Sequence, residues 1–146
     1  MEGVRRGARA VMKWFAPLFF IAIIVQIFLA GEGVFGIKHV KKDIGDVKIL
    51  DPHRGLGFFL TEPVALLFLI VALLAWHPHR KVRRISILLP FLTFAQEPLA
   101  WGGRWTGGLH PVNAVLLLGL FGWLSGQLHG RGRASAGEPA PMAANP

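Results

Sequence analysis

Long apolar stretches alternate with short polar ones along the chain, and this pattern predicts four membrane-spanning helices. A spanning helix needs about 20 mostly apolar residues to cross a hydrocarbon core of roughly 30 Å. Four segments approach that length, at residues 14–30, 55–76, 85–101 and 109–128. The third contains Pro90 and Pro98, which a membrane helix tolerates when neighbouring groups bond the freed carbonyls. The pattern therefore predicts an all-α integral membrane four-helix bundle.

The segments outside these helices are polar or rich in small residues. We predict a basic amino-terminal segment over residues 1–13, a transmembrane domain over 14–128 and a disordered tail over 129–146, where glycine, alanine and proline predominate. The first loop, residues 31–52, mixes branched apolar residues with Lys and Asp. Its pattern is compatible with a short strand pair and with an interfacial helix.

The first apolar segment is predicted to be a retained helix and not a cleaved signal peptide. Cleavage after Ala30 would place Phe28 at the −3 position, where a small residue is required. The apolar run is also long for the hydrophobic region of a signal peptide.

Composition supports a membrane class and excludes cysteine chemistry. Charged residues make up 16% of the chain, the mean hydropathy is +0.49 and the formal net charge is +8. The basic residues form clusters between apolar runs, as they do in membrane proteins, so the lipid bilayer is the predicted partner and nucleic acid is not. The chain has no cysteine, which excludes disulfides, thiolate metal sites and cysteine nucleophiles.

The distribution of Lys and Arg predicts the orientation in the plasma membrane. Ten of these 16 residues precede the first helix, follow the last helix or lie in the loop between the second and third helices. The positive-inside rule then places both termini in the cytoplasm. The loops at residues 31–52 and 102–108 are predicted to face outward.

Two of the six histidines stand apart from the others. His39, His77 and His79 lie in polar loops, and His129 ends the fourth helix, where a cation suits the helix dipole. The two that stand apart open the second and fourth helices, which both run inward from the outer face: His53 and His110. The sequence therefore places these two imidazoles at the same membrane depth.

Two imidazoles on facing helices are the ligand set that a six-coordinate haem b requires. We therefore predict His53 and His110 as metal ligands. The residues one turn further along, Gly57 and Ala114, are small enough for a flat ring to lie against both helices. A histidine at the start of a helix, followed in the second case by proline, is also an ordinary helix beginning that needs no ligand.

Polar residues at a similar depth complete the predicted cofactor site. Arg54 is a candidate partner for a haem propionate, and Asn113 for a propionate or for a group that orients a ligand. Gln26 and Gln96 lie near the outer ends of the first and third helices. Each precedes an outer loop and a helix headed by histidine, which indicates a pair of duplicated helical hairpins.

Two acidic residues fall inside apolar segments, where a carboxylate is costly. Glu62 and Glu97 each precede a proline, which leaves a backbone carbonyl without its donor one turn back. They are candidate proton or quinone contacts, or inward-facing acids bonded to that carbonyl or to a glutamine. In either case we expect Glu62, Gln26 and Gln96 to point into the bundle.

Five short motifs occur in one order along the chain. They are VQIFLAGEG at 25–33, HRGLG at 53–57, RKVRR at 80–84, AQEPLA at 95–100 and LHPVNA at 109–114. In this order they resemble one four-helix half of the haem A synthase-type membrane family, and also uncharacterised small four-helix bacterial membrane proteins. The resemblance implies a haem between the second and fourth helices. The family's cysteine pair is missing, and Leu50 stands where the family has an acidic residue.

The leading interpretation is a membrane protein that binds one haem b near its outer face, for electron transfer, haem handling or redox sensing. The alternative is a cofactor-free structural, binding or carrier membrane protein. A haem-modifying enzyme formed by dimerisation is disfavoured because the acidic residue is absent. Under this interpretation the candidate partners are a redox protein or a quinone, and a second copy of the chain in a homodimer.

The predicted orientation is tested by a reporter enzyme fused after residue 146. A reporter that is active only outside the cytoplasm should be silent there, because the basic clusters keep both termini inside. Activity of that fusion would reverse the orientation.

Overall fold

The computed structural model describes residues 1–36 and 48–134, with side chains up to residue 130. The described residues are helical and include no strand. The elements are α1 (Glu2–Gly36), a short 3₁₀ turn (Lys48–Leu50), α2 (Asp51–Phe59), a π-type turn (Leu60–Val64), α3 (Ala65–Ala75), α4 (Arg80–Phe94), α5 (Gln96–Trp101) and α6 (Arg104–Ala134).

These elements form four rods of alternating direction. The 3₁₀ turn, α2, the π-type turn and α3 follow one another without a gap as one rod, Lys48–Ala75, and α4 with α5 forms another. α1 packs against α3 and α6, and α4 also packs against α3 and α6. The rods that carry His53 and His110 therefore lie diagonally across the bundle. The predicted helical bundle is confirmed.

Three of the rods are long and apolar enough to cross a membrane: Glu2–Gly36, Lys48–Ala75 and Arg104–Gly130. This finding is compatible with a membrane protein, while insertion and orientation stay predictions. We call the end of the bundle with His53 and His110 the histidine end. The opposite end, with the first turns of α1 and α4, is the basic end.

The third predicted span differs from the others in the structure. The segment 85–101 is divided at Ala95 into the end of α4 and the short helix α5. Pro98 has no N–H to donate to the carbonyl of Phe94, so the regular helix ends there and a new one begins. α4 has 15 residues, which is short for a membrane span.

The helix boundaries also extend beyond the predicted ones. α1 begins at Glu2, so the basic segment 1–13 is helical and continuous with the first span. α6 continues to Ala134 through the first residues of the predicted tail, and residues 135–146 lie outside the described residues. Of the loop 31–52, residues 31–36 belong to α1 and 48–50 form the 3₁₀ turn. The alternatives for residues 37–47, including His39, fall outside the described part.

Aromatic side chains from three rods meet at the centre of the bundle. The rings of Phe19 in α1 and Phe121 in α6 stack with centroids 4.4 Å apart, and Phe68 of α3 lies 5.5 Å from Phe121. The ring centroid of Phe15, which is also in α1, lies 5.6 Å from that of Phe68. The rings are close-packed across the three rods, and this packing stabilises the centre of the bundle. These four rings form the phenylalanine cluster, which lies next to the histidine end of the bundle.

The expectation that Glu62 points into the bundle is wrong, because its side chain is exposed. It lies in the π-type turn, where the wider winding turns Leu60 and Thr61 inward in its place. Pro63 supplies no N–H in this turn. The Thr61 hydroxyl lies 3.0 Å from the Gly57 carbonyl and 3.4 Å from the Phe58 carbonyl.

Phe68→Ala should lower the free energy of unfolding by about 3–5 kcal/mol, because it opens a cavity between α1, α3 and α6. Phe59→Ala is the matched control: Phe59 is 58% exposed, while Phe68 is 0% exposed. Denaturant unfolding of the purified protein in micelles measures both. Equal losses for the two variants would contradict the central role of the phenylalanine cluster.

Candidate functional site

A cavity of about 500 Å³ opens at the histidine end, between α1, α2, α5 and α6. This volume falls within the range of small-molecule sites, roughly 300–1,000 Å³. Its deepest wall is apolar and includes Phe19, Ile23, Leu60 and Leu117. The inner wall of the cavity is therefore apolar, and Phe19 is the member of the phenylalanine cluster that lines it.

His53 and His110 meet at this cavity. Their ring centroids are 6.3 Å apart, and the ring planes make an angle of 84°. Both side chains are partly buried and both line the cavity. Because α2 and α6 lie on the bundle diagonal, the first turn of α2 and the second turn of α6 bring both imidazoles to the cavity. The expected loop at 102–108 is shorter than predicted, because α6 begins at Arg104 and not near His110.

A reciprocal pair of hydrogen bonds holds His53 against α1. The Nδ1 atom of His53 lies 3.1 Å from the backbone carbonyl of Gln26, and the Gln26 side-chain amide donates to the His53 carbonyl at 3.1 Å. These two bonds join the first hairpin at one point. They fix both the ring of His53 and the amide of Gln26.

His110 makes the corresponding contact in the second hairpin. Its Nδ1 atom lies 3.0 Å from the backbone carbonyl of Gln96. The Asn113 amide donates to the Gln96 side-chain oxygen at 3.1 Å and to the Leu92 carbonyl at 2.8 Å. Asn113 therefore ties α6 to α4 and α5, and it supports the residue whose carbonyl holds His110.

These contacts determine which ring nitrogen carries the proton. A carbonyl oxygen only accepts hydrogen bonds, so Nδ1 must be the donor in both rings. In the neutral imidazole the lone pair then belongs to Nε2. Neither Nε2 atom makes a hydrogen bond with another described residue. Each of the two rings, which line the cavity, therefore keeps an acceptor nitrogen that no described residue uses.

Gln26 contributes a second polar atom to the cavity. Its side-chain oxygen Oε1 is buried and has no hydrogen-bond partner among the described residues. Its Nε2 lies 2.9 Å from the place where a Cβ on Gly57 would stand. The glutamine amide therefore occupies the clearance at Gly57, and a side chain at this position would have to displace it.

The remaining predicted residues divide between the cavity and its surroundings. Ala114 and Arg54 line the cavity, and Arg54 also lies 3.6 Å from the Asp51 carboxylate. Gln96 and Glu97 line it as well, both half-buried. Asn113 does not reach the cavity wall.

Sequence reasoning missed the side chains that give the cavity its shape. Thr61 and Thr93 line it, and each hydroxyl bonds a carbonyl in its own helix, at 3.0 Å and 2.9 Å. Phe58 and Trp101 line its more exposed side. The alternation of small, hydroxylated and aromatic residues does not distinguish a cavity wall from ordinary helix packing, so the sequence carried no clear signal for them.

Comparisons with known proteins add no constraint: no protein-family model, no curated protein and no solved structure matches the chain. The resemblance to half a haem A synthase therefore stays a prediction. Within the described residues, no group of three or more His, Cys, Asp or Glu side chains is arranged to hold a metal ion.

Gly57→Ala should displace the Gln26 amide and break its bond to the His53 carbonyl. Gly55→Ala is the matched control, since no atom lies within 4 Å of its added Cβ and both changes gain the same helix propensity. We expect the Gly57 variant to be less stable than the Gly55 variant by about 1–2 kcal/mol, measured by denaturant unfolding. Equal stability of the two variants would show that the Gln26 contact contributes nothing.

Proposed function

We propose that the chain is a membrane four-helix bundle that binds one haem b between His53 and His110, for electron transfer, haem handling or redox sensing. The observation that carries the proposal is the pair of imidazoles held by backbone carbonyls at one apolar cavity. The membrane setting rests on the three long apolar helices.

The histidine geometry fits two ligands of one haem iron. A metal-bound histidine nearly always donates its other ring N–H to a carbonyl, carboxylate or water, as both rings do here. His53 and His110 are the residues that would hold the iron, because both rings line one cavity with their centroids 6.3 Å apart. A porphyrin supplies four nitrogens itself, so two protein ligands complete the set.

The surroundings fit a flat, largely apolar group with charged edges. The cavity has about 500 Å³ and an apolar floor, and Ala114 leaves room beside α6. Arg54 lines the cavity, and its guanidinium lies 3.6 Å from the Asp51 carboxylate. Arg54 is therefore the candidate partner for a haem propionate. The unpartnered Oε1 of Gln26 is available to a donor in the cavity.

The chain's own residues would hold and insulate such a group. A haem supplies reversible one-electron chemistry when bound. The carbonyls of Gln26 and Gln96 keep the proton on each Nδ1, which would leave Nε2 as the atom that holds the metal and would raise its basicity. Phe19, Ile23 and Leu117 exclude water from the inner side, and this favours electron transfer over reaction with solvent.

A cofactor-free binding protein is the second candidate function. Two aromatic rings in direct edge-to-face contact also have centroids about 4.5–7 Å apart. The 6.3 Å spacing and the 84° angle of the histidine rings match that arrangement. In this case the same cavity takes a small apolar ligand, and the free Nε2 atoms accept hydrogen bonds from it.

Titration of the purified protein with haem distinguishes the two functions. We expect one equivalent to bind, with a reduced-minus-oxidised spectrum typical of low-spin haem b. His53→Ala and His110→Ala should each abolish the low-spin signal. His129→Ala is the control, because His129 lies on the same helix as His110 but at the basic end, where its Nδ1 lies 2.9 Å from the Ser125 carbonyl and its ring contacts Trp14.

The helicity and monodispersity of each variant are measured as well, so that loss of haem ligation is distinguished from misfolding. Loss of the low-spin spectrum in both histidine variants, but not in His129→Ala, supports haem ligation. Absence of stoichiometric binding by the folded wild-type protein overturns the haem proposal and leaves the apolar-ligand function. Retention of the signal in either histidine variant contradicts ligation by that residue.

A further inference from the structure

A second, smaller cavity lies at the basic end, away from His53 and His110. It is a groove of about 340 Å³ between the first turns of α1 and the last turn of α3. It is lined by Met1, Val4, Arg5, Leu73, Leu74 and Trp76. One cation and one indole ring thus accompany four aliphatic side chains in a single groove.

The surroundings of this groove carry strong positive charge. The basic side chains described at this end are Arg5, Arg6, Arg9 and Lys13 on α1 and Arg80, Lys81, Arg83 and Arg84 on α4. Glu2 is the one acidic residue described there, and it pairs with Arg9 at 3.2 Å. The charge at this end is therefore largely uncompensated by the described residues.

Several of these basic residues already have structural tasks, but Arg5 does not. Arg9 donates to the Ala75 carbonyl at 3.1 Å and so fastens α1 to the end of α3. Arg83 lies over the Trp76 ring at 4.8 Å, and Lys81 lies over the Trp123 ring at 5.1 Å. The Arg5 guanidinium makes no ion pair within the described part of the chain and borders the groove.

The apolar wall of the groove continues along the outer surface of the bundle. Leu73 and Leu74 are about half exposed, and the exposed stripe runs on through Ile70 and Leu66 towards the middle of α3. A ligand with an anionic group and a long hydrocarbon chain would pair with Arg5 and cover the exposed apolar stripe at the same time. A free phosphate leaves the apolar wall uncovered, and an acidic peptide would have to bring a polar backbone to it.

We propose that this groove binds an anionic phospholipid of the leaflet that contacts the basic end. The phosphate lies beside Arg5, one acyl chain follows Leu73, Leu74 and Ile70, and the Trp76 ring stands at headgroup level, where tryptophan concentrates in membrane proteins. Basic pockets between helix ends are a general means of binding anionic headgroups. This inference is independent of the haem proposal.

Native mass spectrometry of the full chain, released from micelles doped with phosphatidylglycerol or phosphatidylcholine, tests the proposal. We expect phosphatidylglycerol to be retained preferentially. Arg5→Ala should reduce that retention about fivefold, the effect of one cation near an anionic surface. Arg5→Lys should restore most of it. Arg104→Ala is the control, because Arg104 is equally exposed but lies at the histidine end.

Inorganic phosphate and phosphatidylcholine serve as competitors and identify which part of the lipid is recognised. Displacement of phosphatidylglycerol by millimolar phosphate would replace the lipid site by a bare phosphate site. Equal retention of the two lipids, or equal losses in Arg5→Ala and Arg104→Ala, would overturn the proposal. Leu74→Gln should weaken retention without changing net charge, and unchanged retention would contradict the acyl-chain contact.

Discussion

The hydrogen bonds from the Nδ1 atoms of His53 and His110 to the carbonyls of Gln26 and Gln96 are the interactions on which the site depends. Each joins a helix to the preceding rod of its hairpin, so the same bond secures the bundle and orients a ring. Each also leaves Nε2 as the free acceptor. His129 makes a similar bond within its own helix, which shows that the bond alone is not a site. His53 and His110 differ from His129 because their two rings line the same cavity.

The helical bundle and the shared level of the two histidines along it were predictable because they follow from local patterns. Apolar runs of spanning length predict the rods, and short connections predict antiparallel neighbours. Helices that start at the same face then bring His53 and His110 to one level. The sequence assigned the space at Gly57 to a cofactor, which stays a prediction, and in the structure the Gln26 amide lies there.

Other features depend on backbone atoms that the sequence does not reveal. The carbonyls of Gln26 and Gln96 carry no residue-specific signal, so their contacts with the imidazoles were not foreseen. The π-type turn around Glu62 changes the face of the following residues, and helical periodicity assumes that no such turn occurs. The break at Ala95 depends on Pro98, yet Pro90 and Pro111 lie within regular helices, so proline alone does not locate a break.

The most direct test of the account is nitrogen NMR of the protein with ¹⁵N-labelled histidine in micelles, with signals assigned by single substitutions. We expect the Nδ1–H tautomer for both His53 and His110, with an unprotonated Nε2 in each ring. Addition of haem should then perturb the Nε2 signals of these two residues and leave that of His129 unchanged. An Nε2–H tautomer at either residue would contradict the account, because the carbonyl contact would be absent and the nitrogen needed for a ligand would be blocked.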